Sequence, residues 1–259
     1  MDSMIRIVAN NLIRLYLLPF KYSPRLNYYV RDVFFTSGAE HLYRATKHIK
    51  KSGHATESTA IVDVGAFNGA TALYFAGEFP EARIYAIEPN PQMASTLRDI
   101  AKQHQSIFVK NIALGRLKQE ATLHLTSNGV SSSINELNAV EIEKQPPQYR
   151  SWLKEESAMK VQVSTLDEEF KDAANVLLIK LDTQGTELDV LEGGVETLKR
   201  TRFVLAEMNN HQMYKNTAQY YEVDECLRRN QFRLVDTIVS YRAAQGVTEY
   251  DALYENKSL

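Results

Sequence analysis

The chain has 259 residues, with 30 Lys plus Arg against 32 Asp plus Glu, a net charge of −2 and a pI near 6.3. That length holds one large α/β domain with a helical appendage, and excludes two independent domains. The near-balanced charge excludes a global field that would draw the chain to nucleic acid, and the lone Cys226 excludes an internal disulfide and suits a reducing cytosol.

Residues 1–18 are apolar but carry Arg6, Asn10, Asn11 and Arg14, so they are too short and too polar to span a bilayer, and they lack a small-residue cleavage site. Ile5, Val8, Leu12, Leu15 and Tyr16 share one helical face, and every charge between Asp2 and Asp32 is positive. The favoured reading is a helix that covers the sheet or pocket or forms a homodimer contact. The competing one is a peripheral contact of residues 1–20 with the anionic inner face of a membrane, in an otherwise cytoplasmic protein. Residues 1–55 read as a helical cap and linker, and 56–259 as the main domain. The six histidines show no H-x-x-x-H pairing, and His41, His48 and His54 are spread over a polar helix and loop, so no metal site is expected.

The main domain opens with Ile61-Val62-Asp63-Val64-Gly65-Ala66-Phe67-Asn68-Gly69, a buried strand that ends in an acid and a glycine-paced turn. Ala70 to Ala76 behind it reads as a helix packed on that strand. Gly65 lets the chain turn sharply, and Gly69 lets the backbone approach a ligand or the sheet. The turn lacks the G-x-G-x-x-G spacing that seats a pyrophosphate, which favours a cofactor without one.

A second strand, Ala82 to Ile87, follows at one helix-length and ends in Glu88-Pro89-Asn90, as a βαβ unit requires. Glu88 at the strand's carboxyl end accepts both hydroxyls of a ribose, and Asp63 at the matching end of strand one favours a cationic ligand. S-adenosylmethionine has the ribose, an ammonium and a sulfonium, and no phosphate. Its expected binding set is Asp63, Gly65, Phe67, Asn68, Gly69, Glu88 and Pro89, joined by Asp182 further on. After a helix (Gln92 to His104) and a strand (Ile107 to Lys110), Asn111 and Ala113 lie at the edge where ligands bind, and an adenine contact is expected there. A turn asparagine bonding its own backbone is the competing reading.

Residues 121–160 break the alternation, with a strand-like Ala121 to Leu125 and then Ser127 to Ile134. The stretch from about 126 to 160 reads as an insert or lid, where Ser132 and Ser133 offer hydroxyls to a polar substrate; a solvated linker competes equally. Val161 to Leu166 resumes the fold, Asp167 to Lys171 is a short helix, and Val176 to Leu181 is a buried strand. Lys180-Leu181-Asp182-Thr183-Gln184-Gly185-Thr186-Glu187 then turns into a helix, Leu188 to Arg200. Asp182 is expected in the crevice at the sheet edge, and Glu187 in the first helical turn; both capping that helix, with Asp182 pairing with Lys180, is the alternative. The strand Phe203 to Met208 places Glu207 and then His211 at the same edge. A helix (Tyr220 to Asn230), a strand (Phe232 to Val239), a turn at Gln245-Gly246 and a strand (Glu249 to Tyr254) complete the chain with an antiparallel edge pair.

IVDVGAFNG, AIEPNP, KNIALG, VSTLDEEF, LIKLDTQGTELDVLEGG and VLAEM, in this order, resemble the FkbM-type family of S-adenosylmethionine-dependent methyltransferases over roughly residues 60–240. The resemblance implies a class I, Rossmann-like three-layer α/β sandwich with a seven-stranded sheet whose last strand is antiparallel. It also implies methylation of hydroxyls on sugars, glycan ends or polyketide-type products, with Asp63, Gly65 and Glu88 at the cofactor and Asp182 and Glu187 lining the site. Ser132, Ser133, Glu187 and Glu207 are the candidate substrate residues. For the proton that a hydroxyl acceptor must lose, Asp182 or His211 is the candidate base. Two other readings remain: a non-catalytic module that keeps the fold for binding, and a nicotinamide-dependent oxidoreductase, which the glycine spacing disfavours.

Overall fold

The computed structural model describes residues 40–53, 59–145, 147–243 and 246–259. The amphipathic segment at 1–20, His54 and Gln245 lie outside them. In chain order the elements are α1 (Glu40–Lys51), β1 (Ala60–Val64), α2 (Ala70–Glu78), β2 (Arg83–Ile87), α3 (Pro91–Ala101), β3 (Ile107–Lys110), β4 (Ala113–Leu114) and β5 (Gln119–Thr126). There follow α4 (Ala139–Glu143), α5 (Pro147–Trp152), β6 (Glu155–Ser164), α6 (Leu166–Phe170), β7 (Val176–Leu181), α7 (Glu187–Glu192) and α8 (Val195–Leu198). The last are β8 (Thr201–Asn209), α9 (Tyr220–Arg229), β9 (Phe232–Ala243) and β10 (Gly246–Asn256).

The main sheet runs β3-β2-β1-β7-β8-β10-β9. β1 pairs parallel with β2 and β7, β2 with β3, and β7 with β8, whereas β10 runs antiparallel between β8 and β9. The final hairpin thus folds its second strand inward and leaves β9 at the edge. Strand periodicity sorts the core onto two faces. Val62, Ile179, Val204 and Ala252 pack with Leu166, Val190, Leu198 and Leu227 from α6 to α9. Ile61, Leu178, Phe203 and Leu253 pack with Leu42, Ala45 and Ile49 of α1 and Phe75 of α2 on the other face. Arg44 of α1 also pairs with Asp236 of β9, its Nε 2.8 Å from Oδ2. α1 is therefore built into the core of that face.

Two differences from the sequence expectations have clear causes. The helix expected over Leu188 to Arg200 is split into α7 and α8 at Gly193-Gly194, because the chain there presses on its neighbours. A Cβ on Gly193 would lie 2.1 Å from the Gly115 carbonyl oxygen, and one on Gly194 would lie 2.7 Å from Leu166 Cδ1. The stretch after residue 121 belongs to a second, three-stranded sheet, β4-β6-β5, in which β5 and β6 pair antiparallel along their length. Its hairpin tip is docked: Asn138 N donates to Met213 O, and Asn135 Nδ2 donates to Gly185 O. Those bonds tie the insert to the turns after β7 and β8.

Gly193→Ala is expected to lower stability by about 2 kcal/mol or more, since backbone on one side and a helix start on the other leave no room for relaxation. Gly77→Ala, on the exposed face of α2 with nothing within 4 Å of the new Cβ, is expected to raise it by about 0.5–1 kcal/mol. Urea midpoints of the two variants measure both signs, and equal shifts would contradict the packing account.

Candidate active site

The carboxyl ends of β1, β2 and β7 meet at one turn. Gly65 has φ +83°, and a Cβ there would lie 1.9 Å from the carbonyl oxygen of Asp182, so only glycine lets β1 and β7 close at this point. Gly65 N and Ala66 N both donate to Ile87 O at 3.0 Å, which draws the turn over the end of β2. There Glu88 accepts from Phe67 N at 2.9 Å and Asn90 N at 2.8 Å, one bond to each carboxylate oxygen. Each oxygen keeps a further lone pair for a ligand donor. Burial pushes the Glu88 carboxyl up, and the two backbone N–H groups counter it.

A cleft opens above this turn, enclosing about 720 Å³ of space that includes its open mouth. Pro89, Ile112, Ala113, Leu114 and Leu123 give it a flat apolar wall, and Gly65, Glu88, Asp182 and Thr183 give it a polar floor. The loop after β5 roofs it with Gly129, Val130, Ser132, Ser133 and Ile134. A Cβ on Gly129 would touch the Phe67 ring at 3.4 Å, so the roof seats directly on the glycine turn.

Towards the same edge, the α1-covered face of the sheet changes from apolar to charged. Lys180 is buried, its Nζ 2.8 Å from Asp182 Oδ2 and 3.9 Å from Asp63 Oδ1. Neither oxygen of Asp63 receives a hydrogen bond among the described residues. Burial pushes Asp63 up to about 6; Lys180 draws it down and Asp182 adds to the rise. Burial also opposes the charge on Lys180, yet Asp182 and Asp63 together raise its pKa and keep it charged. Asp182, with its side chain 36% exposed to the cleft, is desolvated, but Lys180 and Gln184 hold its carboxyl below its ordinary range. A carboxylate so held is a poor proton acceptor and a good permanent anion.

Of the residues expected at the cofactor, Gly65, Phe67, Glu88, Pro89, Ala113 and Asp182 line the cleft. The others lie outside that lining. Asp63 is fully buried behind it. Asn68 accepts from Ala70 N at 3.1 Å at the start of α2, and a Cβ on Gly69 would lie 2.8 Å from Leu97 and Ile100, so that glycine serves helix packing. Asn111 spends its amide on the carbonyls of Glu88 and Pro89, both at 2.9 Å, and braces the Glu88 turn from outside.

Among the substrate candidates, Ser132 and Ser133 line the roof but donate to the carbonyls of Gly129 and Gln184. Glu187 is buried and accepts from Thr183 N, Thr183 Oγ1 and Gly185 N, which fixes its own turn. Glu207 sits deeper and accepts from Gln184 Nε2 at 3.1 Å. His211 lines neither this cleft nor a second cavity of about 570 Å³ beside it, in which the loop after β8 is represented instead by Met213 and Tyr214.

Gln184 was missed by the sequence reading, although it lines both cavities. Its backbone is left-handed, with φ +58°, and its Nε2 reaches Asp182 Oδ1 at 3.0 Å and Glu207 Oε2 at 3.1 Å. Tyr214 Oη lies 2.8 Å from Gln184 Oε1, which fixes the orientation of the amide. The available signal was its place between the acid and the glycine of the turn, where a non-glycine residue with positive φ marks an over-determined site.

The cleft fits S-adenosylmethionine. It offers a carboxylate for a ribose, a flat apolar slot for an adenine, and an anionic floor at Asp182, with Asp63 behind, for a cationic group. Among the described residues no group of His, Cys, Asp and Glu is arranged to hold a metal ion. No described helix is long and apolar enough to cross a membrane.

The chain is 28% identical over 160 residues to the 2-O-methyltransferase NoeI of Sinorhizobium fredii, covering 60% of this chain and 65% of that protein. It is 27% identical over 146 residues to Methyltransferase 1 of Beauveria bassiana, covering 53% and 59%. The matched stretch thus spans less than two thirds of either relative's own length. Magnesium protoporphyrin IX methyltransferase of Synechocystis, solved with bound S-adenosylmethionine, aligns over 95% of this chain and 96% of its own at a TM-score of 0.47 and 8% identity. The methyltransferase FkbM domain matches residues 63–234, well over half of the chain, from the acid of the first strand into β9, and the protein belongs to that family.

Proposed function

We propose that this protein transfers a methyl group from S-adenosylmethionine to a hydroxyl of a sugar, glycan or secondary metabolite. The observation that carries this reading is Glu88, whose two oxygens are pre-oriented by Phe67 N and Asn90 N at the mouth of a cleft with an apolar slot and an anionic floor. The name of one relative, a 2-O-methyltransferase, supports transfer to oxygen. When bound, the cofactor supplies an electrophilic methyl on a sulfonium.

The chain's own residues supply position and field. Glu88 holds the ribose hydroxyls, and Asn111 keeps the Glu88 turn closed from behind. Pro89, Ile112 and Leu114 take the adenine out of water, and the Gly129 to Ile134 loop covers it. Asp182 stays ionised beside the reacting end. Because transfer is an in-line displacement, this fixed alignment supplies a large part of the rate.

Glu88→Ala is expected to weaken S-adenosylhomocysteine binding at least about tenfold, which is about 1.4 kcal/mol. The analogue lacking both ribose hydroxyls is expected to lose far less on the same substitution. Titration calorimetry on both ligands measures this, and equal losses would remove Glu88 from the ribose.

Asp63 sets a pH dependence. With its carboxyl pushed up to about 6, it keeps a proton in the folded protein between about pH 4 and 6, where the unfolded chain has released it. Stability of the ligand-free protein therefore falls as pH rises through that window. A cation seated at the cleft favours the ionised form, so its affinity rises over the same range. S-adenosylmethionine is expected to raise Tm more at about pH 7.5 than at about pH 5.5, and Asp63→Asn is expected to flatten that difference. An unchanged difference in the variant would assign the effect to another group.

A further inference from the structure

The cavity of about 570 Å³ beside the cofactor cleft lies between the hairpin tip, the loop after β8 and the start of β10. Its lining includes Trp152, Leu153, Met213, Asn209, Tyr214 and Glu249, and Gln184 is common to both cavities. Asn209 and Glu249 are register partners on β8 and β10, and Glu207 and Asp251 form the next pair on the same face. Glu207 and Glu249 act on each other electrostatically, the charge of Glu249 pushing the buried Glu207 carboxyl up, and Gln184 Nε2 donates to Glu207 Oε2. Like charges this close, shielded from water, keep one proton between them.

We infer that this second cavity is the acceptor subsite, that it takes a neutral hydroxyl-bearing ring against Trp152, and that Glu249 receives the hydroxyl proton, with Glu207 and Gln184 as positioning residues. The inference rests on the methyltransferase reading above.

Three observations carry it. Gln184 lines both cavities and donates to Asp182 in the cofactor cleft and to Glu207, which is buried beside the second cavity, so the two spaces adjoin at one side chain. The half-exposed Trp152 gives this cavity an aromatic side chain of the kind that the weakly apolar face of a sugar ring packs on, in a lining that also holds Asn209, Gln184 and Glu249 as polar groups. The carboxylate of Glu249 lines the cavity, with Glu207 buried nearby, so a uronate or a phosphorylated sugar is repelled while a neutral ring is not.

Burial, Asp182 and Asp251 push Glu249 up to about 7, which suits a base at neutral pH, unlike Asp182. The groups facing Glu249 are Glu207 of β8, Asp182 after β7, Glu187 of α7, Asp251 on its own strand, and Tyr214. The buried cation nearby, Lys180, is engaged with Asp63 and Asp182, and His41 of α1, 3.7 Å from Asp251, is held below its ordinary pKa by burial. In the transfer, the acceptor O–H bond breaks and its proton passes to Glu249. The oxygen forms the new bond to the methyl carbon, and the electron pair of the sulfur–carbon bond stays on sulfur. Glu249 returns the proton to solvent after release.

Trp152 is the single tryptophan of the chain, so intrinsic fluorescence reports this cavity alone. The test is a titration of the full-length protein, saturated with S-adenosylhomocysteine, with methyl glycosides of neutral hexoses and 6-deoxyhexoses, and with the matching uronates and sugar phosphates. A saturable change with a neutral glycoside and none with its charged counterparts is expected, and Glu249→Gln is expected to admit the charged ones. With the glycoside that titrates, Glu249→Gln is expected to lower kcat by about 10²–10⁴-fold and to abolish the rise in rate through about pH 7, while S-adenosylhomocysteine affinity stays unchanged. Glu207→Gln is expected to shift that rise to lower pH and to keep most of the rate.

Absence of a saturable change with every neutral glycoside, or full turnover in Glu249→Gln, overturns the acceptor site and leaves the cofactor reading standing. Failure of the unmodified protein to bind S-adenosylhomocysteine overturns the cofactor reading itself.

Discussion

One buried ammonium organises the site. Lys180 is among the few cations inside the sheet, and it serves two carboxylates, Asp63 on β1 and Asp182 after β7. Desolvating three charges is costly, and removing the cation alone would leave two buried anions, a loss of about 3–5 kcal/mol for a broken buried pair. The arrangement also fixes register. Ala86, Asp63, Lys180, Leu205 and Leu253 are successive partners across β2, β1, β7, β8 and β10. A slip of one residue in β7 would swing Lys180 into the apolar cluster on the opposite face and strand both acids.

With both acids ionised, that triad carries one negative charge in excess of neutral. The imbalance shows in Asp63, which receives no hydrogen bond among the described residues and whose carboxyl is pushed up to about 6, while Asp182 stays ionised against the cleft. A site that holds a spare anion in low dielectric is destabilised until a cation arrives, and binding a sulfonium ligand then recovers what folding gave up. The strain in the turn has the same character. Gln184 at φ +58° and Gly185 at φ +103° are held in place by Glu187, Tyr214 and the hairpin tip. Fixing the amide of Gln184 in advance removes the cost of orienting it when ligands bind.

The sequence carried the parallel half of the sheet because its strands are short apolar runs, each ending in an acid or a glycine. Glu88, Gly65 and Asp182 were legible for the same reason: an edge of a doubly wound sheet is where a charged residue after an apolar strand must point. The sheet formed by β4, β5 and β6 was not legible, since the first half of β6, Glu155 to Lys160, is mostly exposed and polar and shows no alternation. His211 attracted attention as an edge histidine, yet the loop after β8 presents Met213 and Tyr214 to the second cavity instead. Glu249 had a signal that went unused. Glu249, Asp251 and Leu253 alternate on one face of β10, so an acid pair stands on the face that carries the core residue Leu253, at the end of the strand nearest the cavity.

The segment from Lys180 to Glu187 couples the cofactor cleft to the second cavity. Lys180 faces the buried charges, Asp182 and Thr183 face the cleft, Gln184 faces both cavities, and Gly185 and Glu187 close the turn. A Cβ on Gly185 would lie 2.6 Å from Thr217 Oγ1, so the turn is pinned to the loop after β8 as well as to β1 through Gly65. Any motion that opened one cavity would have to move the turn and so deform the other. If the second cavity takes the acceptor, as proposed, drift within this turn would disturb the cofactor cleft as well, whereas Trp152 of the hairpin tip lines the second cavity and not the cofactor cleft. Variation in acceptor belongs at that tip and at the start of β10, where side chains can change without disturbing Lys180.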